Sequence, residues 1–284
     1  MNLELPPPAA ATILLSGGVS IAAWRAGSLT GTGAVAAFAI GAAALSRAWG
    51  WGAFLITWFL LASVLSRTGK ARKLRQTDGV VEKGSRRDAM QVVANGGVFG
   101  LLSLASTILT GLLGELGSTG IIELRDLMEL LSVSAAAALV AAGADTWATE
   151  IGTLRGARPW SLRTRARVPV GTSGAVSLPG TFASVAGAVV LASAASMLGV
   201  IPTAALLLVA SCGFVGASVD TVVGAWWQDR RWCPACRMET EQAVHRCGVS
   251  TVHRAGSTLL TNDVVNLVCT ISGALLAALL WTLR

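Results

Sequence analysis

The chain has 284 residues, of which 53% are hydrophobic and only 13% charged, with a mean hydropathy of +0.64. Soluble domains carry about 25% charged residues, so a water-soluble globular fold is excluded and the apolar stretches must face lipid. The formal charge of +7 would suit nucleic acid, but no aromatic side chains interleave with the basic ones to form a base-stacking platform, and that role is set aside.

In chain order, eight apolar helices are predicted at roughly 8–24, 28–46, 49–66, 89–113, 128–151, 174–198, 201–227 and 259–282. Most reach the ~20 residues that a bilayer core demands. The first is short, so seven spans is the alternative. Met1 to Pro8 has no basic region and no clear cleavage site, so a cleaved signal peptide is not expected. Trp24, Trp49, Trp51, Trp226, Trp227 and Trp281 lie near predicted span ends, where an interfacial belt would put them. The fold class expected is an all-α integral membrane protein. It is one polytopic domain over residues 1–284, with a small insertion at 229–258.

The charge has a pattern. Nineteen of the 22 Lys and Arg fall at Arg25 or in the loops 66–88, 152–172 and 229–258. Eight spans bring those loops out on one side of the membrane. Short loops rich in Lys and Arg resist translocation, so that side is expected to be cytoplasmic, in a multi-pass protein of the cell's inner membrane. Both termini then lie outside. The loop 116–126, with Glu123, Arg125 and Asp126, has no basic excess and faces outward.

Acids inside a span cost at least ~2.5 kcal/mol on insertion scales. Yet Asp145 and Glu150 close the fifth predicted helix, Asp220 lies in the seventh, and Asn262, Asp263 and Asn266 open the eighth. Asn95 lies in the fourth, and Ser218 adjoins Asp220. Asp220, Gly224 and Gln228 fall on one helical stripe, as do Thr146 with Glu150 and Asn262 with Asn266. Converging carboxylates repel in a low dielectric and need cations; Mg²⁺ is the usual hard cation shared between carboxylates and phosphates. The loops supply the opposite sign. Lys83, Arg86 and Arg87 abut Asp88, and Arg167 precedes the turn Gly171-Thr172-Ser173-Gly174. Such a turn feeding a helix offers backbone N–H groups to phosphate.

Within the insertion, Cys233, Cys236, His245 and Cys247 have the spacing and donor types of a structural zinc site, with His253 a rival for the nitrogen ligand. A cytosolic loop disfavours a disulfide. Cys212 and Cys269 fall in spans and read as small packing residues.

Five motifs in one order carry a resemblance. They are Lys-Gly-Ser-Arg-Arg-Asp-Ala at 83–89, Ala-Asn-Gly-Gly at 94–97, Ala-Asp-Thr-Trp-Ala-Thr-Glu-Ile-Gly at 144–152, Val-Pro-Val-Gly-Thr-Ser-Gly-Ala-Val-Ser at 168–177 and Asn-Asp-Val-Val-Asn at 262–266. From about residue 20 onward the chain resembles the membrane family known as domain of unknown function 92, which includes plant phytyl-phosphate kinases. The family's glycine turn often reads Gly-Thr-Asn-Gly; Ser173 replaces the Asn here. The resemblance implies transfer of a nucleoside triphosphate's γ-phosphoryl group, with CTP the favoured donor, onto a prenyl (phytyl or geranylgeranyl-type) monophosphate. Asp88, Asp145, Glu150, Asp220 and Asp263 would serve catalysis, the last four through Mg²⁺. Lys83, Arg86, Arg87 and Arg167 would hold phosphates, and Gly171, Thr172 and Gly174 would cradle one by backbone. Asn95, Ser218, Gln228, Asn262 and Asn266 would orient the set. The partners expected are the nucleotide, the lipid monophosphate and membrane lipids; a homo-oligomer is compatible with these. The competing readings are a lipid transporter or scramblase, because broken polar helices also serve carriers, a lipid cytidylyltransferase, and a non-catalytic scaffold.

Overall fold

Residues 132–143 contain almost nothing larger than Val or Leu. A helix with so thin a surface lets neighbours approach on every side. In the computed structural model, which describes residues 5–77, 86–114, 121–154 and 158–284, this segment lies in the centre of the molecule. Val133, Ala135 to Ala142 and Ala144 are all buried. The helix that carries them, α6 (Ile121–Leu154), packs against α5 (Ala89–Gly114), α7 (Leu178–Met197), α8 (Leu206–Trp226) and α9 (Asn262–Thr282). Before these come α1 (Ala9–Arg25), α2 (Gly31–Arg47), α3 (Trp49–Arg67) and the short α4 (Lys70–Thr77). They join the bundle chiefly through α2 on α5 and α3 on α6.

Close approach is visible at single residues. A Cβ on Gly216 of α8 would stand 2.8 Å from both Ala141 Cβ of α6 and the Cys269 carbonyl of α9. The three helices meet there with no room for a side chain. Trp51, Phe54 and Phe99 fill the wider gap between α3 and α5, with Trp51 stacked on Phe99 at 5.5 Å.

Six described helices are long and apolar enough to cross a membrane: Trp49–Arg67, Ala89–Leu112, Arg125–Leu154, Leu178–Met197, Thr203–Trp226 and Asn262–Thr282. Helices α1 and α2 are apolar but have only 17 residues each, a rise of about 25 Å against a core of ~30 Å. Element boundaries differ from expectation where side chains intervene. The predicted start of α7 at 174 moves to Leu178, because Ser177 caps the helix by accepting from Gly180 N at 3.2 Å. Residues 174–176 instead join a small antiparallel pair, β1 (Trp160–Ser161) with β2 (Ala175–Val176). Helix α6 runs past both predicted ends. The insertion folds as a three-stranded antiparallel sheet in the order β4-β3-β5, from β3 (Arg230–Cys233), β4 (Met238–Thr240) and β5 (Val252–Ala255).

Candidate functional site

Helix ends and one turn enclose a cleft of about 640 Å³. The C-terminal turns of α6 bring Asp145, Thr146, Thr149 and Glu150. The second half of α8 brings Ser218, Asp220 and Thr221. The first turns of α9 bring Asn262 and Asn266, and α5 with its preceding residues brings Arg87, Gln91 and Asn95 at i, i+4, i+8. The turn 170–177 closes one side, and Ser66, Lys70 and Lys73 of α3 and α4 close another.

The hydroxyls are positioned by their own helices. Thr146 Oγ1 donates to the Ala142 carbonyl at 2.8 Å and Ser218 Oγ to Phe214 at 2.9 Å. Their lone pairs still accept. Asp145 and Asp220 face the same space from α6 and α8, and the charges of Asp145 and Glu241 act on Asp220. The Asp220 Oδ2 atom is shut off from solvent and has no hydrogen-bond partner among the described residues. A buried carboxylate oxygen in this state needs a cation or a proton.

Glu150 is arranged differently. Its two oxygens accept from Ser66 Oγ and from Lys73 Nζ, each at 2.5 Å, and Lys73 also donates to the Leu65 carbonyl at 2.7 Å. Lys73 is 8% exposed. This ion pair ties α4 to the end of α6, so Glu150 anchors the fold where it lines the cleft. Arg87 sits between two environments. Its guanidinium lies 6.0 Å from the Trp58 ring centre and 5.7 Å from that of Phe59, and no carboxylate pairs with it among the described residues. Burial lowers its pKa, with the charge of Glu150 acting in the other direction. A desolvated cation of this kind attracts an anion.

The glycine turn is held from within. Thr172 donates both its N–H (3.3 Å) and its Oγ1 (2.8 Å) to the Pro169 carbonyl, so the Thr172 N–H expected to cradle phosphate is already engaged. Gly174 has φ +69°, and a Cβ there would meet Ala225 Cα at 2.2 Å. Its small size therefore serves packing on α8. Ser173 Oγ donates to Gln228 Oε1 at 2.5 Å, and Gln228 Nε2 donates to Glu241 Oε1 at 2.9 Å. Gln228, buried behind the turn, thus links the cleft wall to the insertion.

In the insertion, the ligand atoms of Cys233, Cys236, His245 and Cys247 all lie within 4.8 Å of one another, a set that can hold a metal ion. Cys233 Sγ is 3.6 Å from Cys247 Sγ, close to the ~3.8 Å edge of a tetrahedron with 2.3 Å metal–sulfur bonds. His245 is 1% exposed, and its Nδ1 is 3.2 Å from Cys247 Sγ. The hydrogen bond from His245, with help from the Val249 N–H, lowers the Cys247 thiol to about 6, while its interaction with Cys247 pushes Cys236 up to about 11. His253 is engaged elsewhere, with Nδ1 2.8 Å from Asp229 Oδ1, so the nitrogen in the cluster belongs to His245.

A family model described as integral membrane protein DUF92 matches residues 14–274. This chain belongs to the DUF92 family. It is 24% identical to Protein PGR of Arabidopsis thaliana over 267 residues, which cover 90% of each chain. It is 33% identical over 86 residues to the uncharacterized membrane protein sll0875 of Synechocystis, covering 30% of this chain and 33% of that one. No solved structure matches.

Of the residues singled out in this DUF92 chain, the cleft gathers Arg87, Asn95, Asp145, Glu150, Gly171, Thr172, Gly174, Ser218, Asp220, Asn262 and Asn266. Asp88 does not line it. Its Oδ1 accepts from Gln91 N at 3.0 Å while its own N–H donates to Gln91 Oε1 at 3.2 Å, a reciprocal cap on α5. Arg167 is exposed and donates to the Arg158 carbonyl at 2.8 Å. Arg86 is exposed, Asp263 is buried in the first turn of α9 away from the cleft wall, and Lys83 lies outside the described residues. Sequence reasoning passed over Lys73, Gln91 and Glu241. Gln91 carried a readable signal, three residues after Asp88; Lys73 and Glu241 carried none, because their partners are far away in sequence.

Removing one partner of a buried ion pair leaves the other charge uncompensated, at a cost of about 3 kcal/mol. Lys73→Met is expected to lose that much unfolding free energy in detergent, and adding Glu150→Gln should restore much of it. Denaturant titration of the three proteins checks this; equal stability of wild type and Lys73→Met would remove the anchor role.

Proposed function

We propose that this protein is a Mg²⁺-dependent membrane kinase. It transfers the γ-phosphoryl group of a nucleoside triphosphate, with CTP favoured, to a prenyl monophosphate of the phytyl or geranylgeranyl type. The single observation that carries the reading is the cleft itself. It brings the acids Asp145 and Asp220 together with the basic groups Lys70, Lys73 and Arg87 in one space among the helices of an apolar bundle. A substrate with a greasy tail and an anionic head must be met at such a place.

In the reaction, an oxygen of the acceptor phosphate forms a bond to the γ-phosphorus. The bond to the β–γ bridging oxygen breaks, and that oxygen leaves on the nucleoside diphosphate. The acceptor oxygen is already anionic, so no general base is needed. Positioning and charge neutralisation are the main requirements. Arg87 would hold the acceptor's phosphate, and Lys70 would meet the donor. Asn95, Asn262 and Asn266 would orient the phosphates. Asp145 and Asp220 are the carboxylates that would hold Mg²⁺; hard carboxylate and phosphate oxygens are its usual ligands. The ion would supply neutralisation of the polyphosphate's charge. In the insertion, three thiols and one imidazole suit Zn²⁺ in a closed structural role. Through Glu241, Gln228 and Ser173 that fold would steady the cleft wall. The cleft would face the cytoplasm from the inner membrane, with α1 and α2 as short seventh and eighth spans, because the basic loops rim it.

Purified protein given labelled CTP, Mg²⁺ and geranylgeranyl monophosphate is expected to form labelled geranylgeranyl diphosphate. A nucleotide–lipid product with released pyrophosphate would instead make it a cytidylyltransferase, and flux without turnover in liposomes a carrier. Asp145→Asn and Asp220→Asn should each cut kcat about 100-fold, the scale of losing one preorganised electrostatic group, and normal rates in both would sink the Mg²⁺ assignment. Elemental analysis should find one zinc per chain in wild type and little in Cys236→Ser; a zinc-free, folded wild type would contradict the structural zinc. A reporter fused after Arg284 should be active on the outer side only, and cytoplasmic activity would reverse the topology.

A further inference from the structure

A second cavity opens between α1, α2, α3 and α5. Its volume is about 80 Å³, several times the ~10–15 Å³ that one water requires. Its walls are apolar, with Val19, Leu45, Leu55, Ile56 and Phe59 among them. The Ser16 hydroxyl, which also lines it, donates to the Thr12 carbonyl of its own helix at 2.6 Å. Val19 is 38% exposed, so the cavity reaches the outer surface of the bundle. A space lined in this way does not hold water well.

Its inner end is what separates it from a packing void. Arg87 and Gln91 line it, and the same two residues line the polar cleft. The two spaces therefore adjoin across these side chains at the start of α5. The Arg87 backbone is pinned there by α1–α2 loop residues: its N–H donates to Ser28 at 3.0 Å and its carbonyl accepts from Thr30 at 2.9 Å. Its guanidinium lies over Trp58 and Phe59, and both of those rings also line the cavity. A fixed cation at the junction of an apolar and a polar space matches one kind of molecule, an apolar chain that ends in an anion.

We propose that the slot between α1, α2, α3 and α5 holds the head-proximal part of a single-chain lipid monophosphate, with its phosphate on Arg87 and its distal chain in the bilayer. The chemistry of the head rests on the proposed function; the location of the chain does not depend on turnover. The slot is small, so it reads the width of the chain next to the phosphate and not its full length.

The test is photolabelling in nanodiscs with a geranylgeranyl monophosphate that carries a diazirine on the chain close to the head. Mass spectrometry is expected to find the label on slot residues such as Leu55, Ile56 or Phe59. Geranylgeranyl monophosphate should compete, whereas geranylgeraniol and inorganic phosphate at the same concentration should not. Ile56→Trp fills the slot, and Arg87→Gln removes the cation. Each should lower labelling about tenfold, equivalent to ~1.4 kcal/mol of binding, while Leu60→Trp on the exposed face of α3 leaves it unchanged. Should Ile56→Trp fail to fold, the wild-type label map decides alone. Label confined to α7, α8 or α9, or equal competition by the alcohol, would overturn the slot. Labelling abolished in phosphatidylglycerol nanodiscs would overturn the single-chain assignment. Slot labelling without phosphoryl transfer would remove the kinase and leave the slot; transfer with label elsewhere would remove the slot alone.

Discussion

Two carboxylates that share one cleft at the end of an apolar bundle set the terms for the rest of this molecule. Asp145 and Asp220 arrive from α6 and α8, and at least one Asp220 oxygen has no protein partner among the described residues. Such an arrangement is costly in an apolar bundle. It persists because α6 is held on all sides. Its alanines let α5, α7, α8 and α9 close on it, and Gly216 marks a point where three helices touch backbone to side chain. The tight packing fixes where the acids point, and the unpartnered Asp220 oxygen in turn requires a cation or a proton.

The opposite charge is delivered with equal care for position. Lys73 neutralises Glu150 and secures α4, so it shapes the cleft without being free to move. Arg87 has no such partner among the described residues and is steadied by aromatic rings and by backbone bonds to residues 28 and 30. Lys73 is thus part of the scaffold, and Arg87 is the cation proposed to meet a phosphate. The insertion adds a third support. Its Cys/His cluster closes a small sheet whose edge presents Glu241, and Gln228 carries that contact to Ser173 in the glycine turn. A metal in the cluster would therefore stiffen one wall of the cleft from outside the bundle.

Much of this was legible before any fold was seen. Asp145 and Asp220 stood out because acids in apolar runs are expensive, and Asn262 and Asn266 because their spacing sets both on one helix face. The cysteine spacing marked the Cys/His cluster, and geometry chose His245 over its rival His253, through the bond between His253 and Asp229. Other contacts were not legible, for physical reasons. Asp88 followed by Gln91 is a capping signature, and the reciprocal bonds between them start α5. Glu150 meets a lysine 77 residues away, a contact that no local pattern encodes. Gly174 lines the cleft as read, and its close contact with Ala225, which demands a glycine, is a tertiary one that no local pattern encodes. Helices α1 and α2 matched a span in composition and fell short of it in length.

As proposed, Asp145 and Asp220 form one cation site that also needs a polyphosphate. Electron paramagnetic resonance during Mn²⁺ titration tests it directly, with a non-hydrolysable CTP analogue present or absent and no turnover required. Wild type is expected to bind Mn²⁺ tightly only with the analogue present, and the double variant Asp145→Asn/Asp220→Asn to lose that binding while remaining folded. Equal Mn²⁺ binding by the two proteins would contradict the account.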